Sequence, residues 1–217
     1  MFTTARTGAG IVSLIALIAA TLTLSSASAV AREITVAPGA LQESENSHVY
    51  ISMQTSKGEI ILELDREKAP ISVENFLKYT ESEHYDGTIF HRVISNFMIQ
   101  GGGFTEDMTQ KRVGRPIKNE WRNGLSNVRG SIAMARLGNQ PDSATSQFFI
   151  NVTNNAALDQ PRDGAGYAVF GKVVKGMDVV DKIRQVPTAT RGHHGDVPVE
   201  PVVIEKVRQI EKPDDLE

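Results

Sequence analysis

The sequence predicts a mainly β protein, a closed barrel or a sandwich of short strands with two helices packed against it. Two observations carry this. From His48 onward, short segments alternate apolar and polar side chains, parted by turn residues such as Ser56-Lys57-Gly58 and Asp86-Gly87. That is the pattern of half-buried antiparallel strands. Only two stretches instead space their apolar residues by three and four, which is a helical period. With 217 residues, 40% of them hydrophobic, the chain can build one domain around its own core.

The elements follow in order. Val49–Gln54 (VYISMQ) and Glu59–Leu64 (EIILEL) alternate on either side of Ser56-Lys57-Gly58 and form a hairpin. Pro70 suits a first helical turn, and Val73, Phe76, Leu77 and Thr80 share a face, so a helix is expected from Ile71 to about Glu81. TIFHRVI (88–94) and FMIQGG (97–102) are strands joined through Ser95-Asn96. Residues 104–127 are rich in Gly, Asn and charge and read as a long irregular segment, with Trp121 packing it onto the sheet. GSIAMA (130–135), SQFFINV (146–152) and YAVFGKVV (167–174) are strands, the second apolar enough to be buried on both faces. Gly176 precedes a second helix with Met177, Val180 and Ile183 on one side. VPTATRGHHGDVP (186–198) reads as loop, and PVVIEKVRQI (201–210) closes the sheet.

The first 29 residues read as an export signal. Arg6 is followed by an apolar run, Ile11 to Leu24, and by the small residues Ala27 and Ala29 of a cleavage site. The run is short for a membrane span of about 20 residues. Cleavage after Ala29 leaves residues 30–47 as a polar leader, expected to be poorly ordered, a domain over 48–210 and a polar tail over 211–217. The expected location is outside the cytoplasm, in a bacterial periplasm. Net charge is −3, or −4 once Arg6 is removed, which gives no electrostatic footprint for nucleic acid. No membrane association is expected after cleavage, and nothing demands more than a monomer. The chain has no cysteine, so thiolate chemistry, thiolate metal sites and disulfides are excluded and stability must come from the core.

The stretch FHRVISNFMIQGGGF (90–104) is the chemically unusual one. It sets the cation Arg92 and the amide Gln100 beside Phe97 and Met98, with no nucleophile among them. Taken alone, Arg92 could be a surface cation on a strand, and Phe97 and Phe149 could be core residues. Phe148, next to Phe149, must face the other side of its strand and is the better core candidate. His91 could pass for a general base, but alternation sends it away from Arg92, and it is read as structural. Gly101-Gly102-Gly103 is not followed by Gly-Lys-Ser/Thr and is read as a close approach or bulge rather than a phosphate loop. His193-His194 lies in a polar loop without further ligands and is read as solvated. Asn151-Val152-Thr153 matches a glycosylation sequon but falls in a buried strand. No G-x-S-x-G motif supports a hydrolase, and no metal or cofactor is expected.

FHRVISNFMIQGGGF, GSIAMA, SQFFINV and YAVFGKVVKGMDVVDKI, in this order, resemble the cyclophilin-type peptidyl-prolyl cis-trans isomerases. The likeness spans residues 48–210. TEDMTQKRVGRPIKNEW and NGLSNVRGSIAMAR are most similar to the bacterial branch, whose exported members are periplasmic. The resemblance implies a closed eight-stranded antiparallel barrel capped by two α-helices. It implies that Arg92 is the catalytic cation, with Gln100 beside it. It places a proline pocket on Phe97, Met98, Phe149 and Leu158, and a polar rim on Gln100 and Gln147. Bound peptide would pair with the backbone of Ala135, Arg136 and Leu137. Two positions depart from the family pattern. Ala157 stands where eukaryotic relatives carry a tryptophan that helps bind cyclosporin, so tight cyclosporin binding is not expected. Tyr167 stands in place of a histidine, and it can still donate a hydrogen bond and pack its ring.

These residue types suit the implied chemistry. An X–Pro bond rotates over a barrier of about 18–20 kcal/mol because its nitrogen lone pair is delocalised. In the twisted state that delocalisation is lost, and a donor aimed at the nitrogen or the carbonyl helps only there. No covalent bond breaks, so no nucleophile is needed. The expected partners are proline-containing, unfolded or extended polypeptides. The alternative is a non-catalytic module that only binds such segments; the retained Arg92 argues against it.

Overall fold

The structure, a computed structural model, describes residues 47–160 and 163–216. The expected signal sequence and nearly all of the expected leader lie outside the described residues. The elements are β1 (His48–Thr55), β2 (Gly58–Asp65), α1 (Pro70–Glu81), β3 (Thr88–Ile94), β4 (Met98–Thr105), β5 (Ser131–Met134), β6 (Phe148–Asn151), β7 (Val169–Lys175), α2 (Met177–Ile183), β8 (Thr188–Arg191), β9 (His194–Pro198) and β10 (Val203–Ile210). Eight of the strands close a barrel in the order β1-β10-β3-β4-β6-β5-β7-β2. Every neighbouring pair is antiparallel. This is the expected barrel with two helices, and closure leaves none of the eight strands as a free edge.

One segment differs from the expectation. Residues 188–198, read as loop, form a two-stranded hairpin, β8 with β9. All four β8 residues are exposed, so no buried face imposes the alternation by which a strand is recognised in sequence.

Aromatic rings sit at the centre of a largely aliphatic core. Phe76, Tyr85, Phe90, Phe148 and Phe170 are fully buried. Phe76 of α1 stacks on Tyr85 at 4.8 Å between ring centroids and meets Phe148 edge-on at 5.6 Å. The expectation for Phe148 holds: it joins the main core, whereas Phe149 packs in a separate small cluster with Met98, Ala133 and Val169. Val73 and Leu77 of α1 and Val180 and Ile183 of α2 also join the main core.

α1 begins without a side-chain cap from its own neighbours, because Ala69 precedes it. The carboxylate of Glu120, from the long irregular segment, takes that place. It accepts from the Ile71 and Ser72 N–H groups at 3.0 and 2.8 Å and from Ser72 Oγ at 2.7 Å. A carboxylate there satisfies free helical N–H groups and complements the positive end of the helix dipole. Trp121, next in sequence, lies against Gly166: a Cβ on that glycine would sit 2.7 Å from the indole. The irregular segment is thus clamped to the helix at one point and to the 165–167 strand approach at the next.

Two irregularities in the β3–β4 pair shape the functional face. Thr88 pairs with Thr105 and Phe90 with Gly101, so β4 carries extra residues opposite Ile89. Phe90 pairs with Gly101 and Arg92 with Gln100, so His91 is an unpaired extra residue in β3. Gly102 has φ +81°, and a Cβ on it would lie 2.9 Å from both Phe148 and Tyr85. The triple glycine is therefore a close approach within a bulge, as expected.

Replacing Glu120 with alanine is expected to lower stability by about 1 kcal/mol, the usual worth of a helix cap. Urea denaturation checks this, with the midpoint falling and the slope unchanged.

Candidate active site

The residues singled out in the sequence converge. Arg92, Phe97, Met98, Gln100, Ala135, Arg136, Phe149, Leu158 and Tyr167 line one cavity of about 110 Å³. That is well below the roughly 300–1,000 Å³ of typical small-molecule pockets, and it suits a single small ring. Larger grooves lie elsewhere, one of about 630 Å³ between α1 and residues 114–117. It holds Arg115 and Asn75, but the Asn75 amide is committed to the Thr145 carbonyl at 2.7 Å, and Glu74 lies in the same lining.

Each wall has a structural cause. Met98, Gln100 and Phe149 come from the paired strands β4 and β6, where Gln100 stands opposite Phe149. Leu158 sits on a 3₁₀ turn, Ala156–Leu158, and its carbonyl accepts from Tyr167 N–H at 3.0 Å. Phe97 is held from behind by Asn155, whose amide donates to the Phe97 carbonyl at 2.8 Å. Asn155 also donates to Asn151 Oδ1, and Asn151 donates to Asn127 Oδ1 and Ser131 Oγ. Asn127 in turn donates to Asp159 from its backbone and side chain. This amide chain, buried at Asn127 and Asn151 and half-buried at Asn155, links both sides of the pocket mouth. It also accounts for Asn151, whose side chain is wholly committed inside the protein.

Gln147 is not in the cavity lining, but it touches it. Gln100 Nε2 donates to Gln147 Oε1 at 2.9 Å. Gln147 lies over Gly103, where a Cβ would come within 2.6 Å of its side chain. Gly103 thus makes room for the amide, a role that the glycine run alone did not assign. Leu137 is 60% exposed and stands outside the cavity.

The backbone expectation narrows. Ala135 N–H donates to the Gln147 carbonyl at 2.9 Å, and Leu137 N–H donates to Ser143 Oγ at 2.8 Å. Among the described residues, the Arg136 N–H and Ala135 C=O make no hydrogen bond, so these two groups remain available to a peptide.

The side chain of Arg136 has a role the sequence did not reveal. It is 1% exposed and pairs in a two-pronged fashion with Asp163, at 2.8 and 2.9 Å. It also donates to the Ala165 and Gly166 carbonyls, and its guanidinium lies 4.4 Å over the Tyr167 ring. Tyr167 then meets Phe149 edge-on at 5.6 Å. The tyrosine that departs from the family pattern is thus fixed by stacking, and it forms one wall of the cavity. Arg136 holds the Asp163 carboxyl far below the usual carboxylate range, chiefly by hydrogen bonding, helped by the Asn139 N–H.

Alternation does not hold at His91. Phe90 and Val93 both belong to the barrel core, and the extra residue between them leaves His91 and Arg92 both outside the barrel. His91 is 5% exposed, with its ring 4.7 Å from Phe104. Phe104 lies 5.1 Å from His194, which is therefore packed against an aromatic ring. Burial above all, then His194 and Arg92 nearby, push His91 down to about 4. It is neutral at ordinary pH, and its structural reading stands for a different geometric reason. Arg92 is 44% exposed at its side chain, and it makes no hydrogen bond among the described residues.

Comparison with known proteins agrees with this geometry. The family model of cyclophilin type peptidyl-prolyl cis-trans isomerases matches residues 50–209. The chain belongs to the cyclophilin-type peptidyl-prolyl cis-trans isomerases. It is 59% identical over 162 residues to a peptidyl-prolyl cis-trans isomerase of Acinetobacter baylyi, covering 75% of this chain and 86% of that one. It is 56% identical over 163 residues to isomerase A of Dickeya dadantii, covering 75% and 85%. Among solved structures, the fold matches a Cryptosporidium parvum cyclophilin crystallised in the presence of the dipeptide Ala-Pro. The TM-score is 0.60 at 26% identity, covering 73% of this chain and 96% of that one. The enzyme class, the barrel and the helices of this cyclophilin therefore agree with the sequence reading.

Asp163→Asn tests the Arg136 prop. The folded-state pKa of Asp163 is depressed, so its contribution to stability is complete above the unfolded carboxylate value of about 4. It is lost progressively as the pH falls from that value towards the far lower folded-state one. Wild type is expected to be more stable than the variant at pH 7, with the gap constant above about pH 5, narrowing below about pH 4 and still open at about pH 3. Thermal melts across that range are the check.

Proposed function

We propose that this cyclophilin accelerates rotation about X–Pro bonds in exported, partly unfolded polypeptides, with Arg92 as the catalytic cation. The observation that carries the proposal is the pairing of a ring-sized apolar cavity with a guanidinium at its rim that no protein acceptor saturates. Phe97, Met98, Phe149 and Leu158 would hold the pyrrolidine ring while the preceding carbonyl swings. Arg92 would donate to the prolyl carbonyl and favour the twisted amide, whose nitrogen has become basic. Gln100, already paired with Gln147, would offer its amide to the moving carbonyl. The Arg136 N–H and Ala135 C=O would fix the preceding residues in extended form. The Ala-Pro dipeptide in the Cryptosporidium relative's crystals supports proline-containing peptides as ligands. The export-type leader supports exported clients, with assistance to their folding as the outcome.

Magnitudes divide the work. A rate gain of roughly 10⁵ needs about 7 kcal/mol. One hydrogen bond from a charged donor gives about 1.5–3 kcal/mol, so most of the gain must come from ring fixation and orientation. Ala157 is exposed on the 3₁₀ turn beside Leu158, and it leaves that rim without a broad aromatic wall. We therefore expect weak or no cyclosporin binding.

The test is cis-trans exchange of a short Ala-Pro peptide by NMR, with the mature protein and with Arg92→Ala. The wild type should accelerate exchange, and the variant should lose about 10- to 100-fold, mainly in kcat, in line with one charged hydrogen bond. Binding of the peptide by the wild type without acceleration would instead make the protein a non-catalytic proline-segment binder.

A further inference from the structure

The β8–β9 hairpin lies outside the barrel, with β9 packed on β3. It is anchored at several points. Val197 and Pro198 at the end of β9 are buried. Arg191 Nη1 donates to the Glu106 carbonyl at 2.8 Å. His194 and Asp196 lie at a register shift of β9, where Gly195 and Asp196 together oppose Thr190 of β8, and their contacts place them both against β3 and β4. His194 covers the Phe104–His91 stack. Asp196 Oδ2 lies 3.6 Å from Arg92 Nε. The two residues that the β3 bulge turns outward, His91 and Arg92, are thus each met by one residue of β9.

We propose that Asp196 is a positioning residue for Arg92, presented by the β8–β9 hairpin so that the guanidinium is held by its Nε side. This rests on the reading of Arg92 as the catalytic cation. A guanidinium carries five N–H donors in a rigid fork. Asp196 occupies the Nε side, and the four N–H groups on the two terminal nitrogens have no acceptor among the described residues. Without a hold, an exposed arginine spreads over many rotamers, and orientation is lost before the substrate arrives. The backbone at Asp196 points the same way. Its φ is +59°, one of four positive values at non-glycine positions among the described residues. Asp and Asn tolerate that region better than other side chains, so the site accepts a short polar side chain that reaches Arg92 directly. An exposed ion pair of this kind contributes little to stability, so its effect should appear in turnover rather than in folding.

Asp196→Asn separates these effects, because asparagine keeps the size and the backbone preference while removing the charge. With proline peptide, kcat should fall about three- to tenfold, with KM within about twofold and the melting temperature unchanged. The Arg92 Nε–Hε NMR signal should shift and sharpen as the side chain is freed. In an Arg92→Lys background, which has no Nε fork, Asp196→Asn should have no further effect. Unchanged kcat with an unchanged Arg92 signal would overturn the proposal, as would an undiminished effect in the Arg92→Lys background. If Arg92→Ala retains full activity, it is the reading of Arg92 as catalytic that fails, and the hold on its Nε side would have no catalytic meaning.

Discussion

The site depends on one extra residue in β3. A regular strand would send Phe90 and Arg92 to one face and His91 and Val93 to the other. The bulge breaks that count, so Phe90 and Val93 both enter the core while His91 and Arg92 both face outward. The cation can then stand at the rim of a pocket whose walls come from the neighbouring strands, without any charge entering the barrel. Burying it would have required a partner or a heavy desolvation penalty. The glycine run of β4 is the other half of the arrangement. It admits Phe148 and Tyr85 on one side, and Gln147 lies over Gly103.

Behind the pocket wall, rigidity comes from polar groups rather than from more grease. The Asn127, Asn151 and Asn155 amides form a satisfied network that ends on the Phe97 carbonyl and on Asp159. Buried amides of this kind are strong only when every partner is present. Arg136 does the same on the other side, where it is buried, paired with Asp163 and stacked on Tyr167. Two arginines lie near one cavity with opposite roles: Arg136 is saturated by protein acceptors, and Arg92 is left with donors to spare.

Much of this was legible in the sequence, and the rest was not for identifiable reasons. Alternation, short apolar runs and turns located all eight barrel strands, because burial imposes a pattern on each: alternation where one face is buried, an apolar run where both are, as in β5 and β6. Three- and four-residue spacing located both helices. β8 and β9 were missed because β8 is wholly exposed and carries no pattern. The side taken by His91 was missed because a bulge leaves no mark in apolar alternation. The candidate site residues were named through their motifs, and nine of them line one cavity. The supporting residues were not found. Glu120, Asn155 and Asp163 act across long sequence separations, so neither period nor neighbour reveals them. The Arg136 side chain was likewise hidden, since only its backbone was expected to matter.

The central claim is that the bulge-presented Arg92 and the Phe97–Met98–Phe149–Leu158 pocket act on the same prolyl bond. A crystal structure of the protein with an Ala-Pro-containing peptide tests it most directly. The account predicts the pyrrolidine ring inside that pocket, with the Arg92 terminal nitrogens within hydrogen-bonding distance of the prolyl carbonyl. The peptide should also run along the Arg136 N–H and Ala135 C=O. A peptide seated elsewhere, such as the groove along α1, or a proline in the pocket with Arg92 turned away from it, would contradict the account.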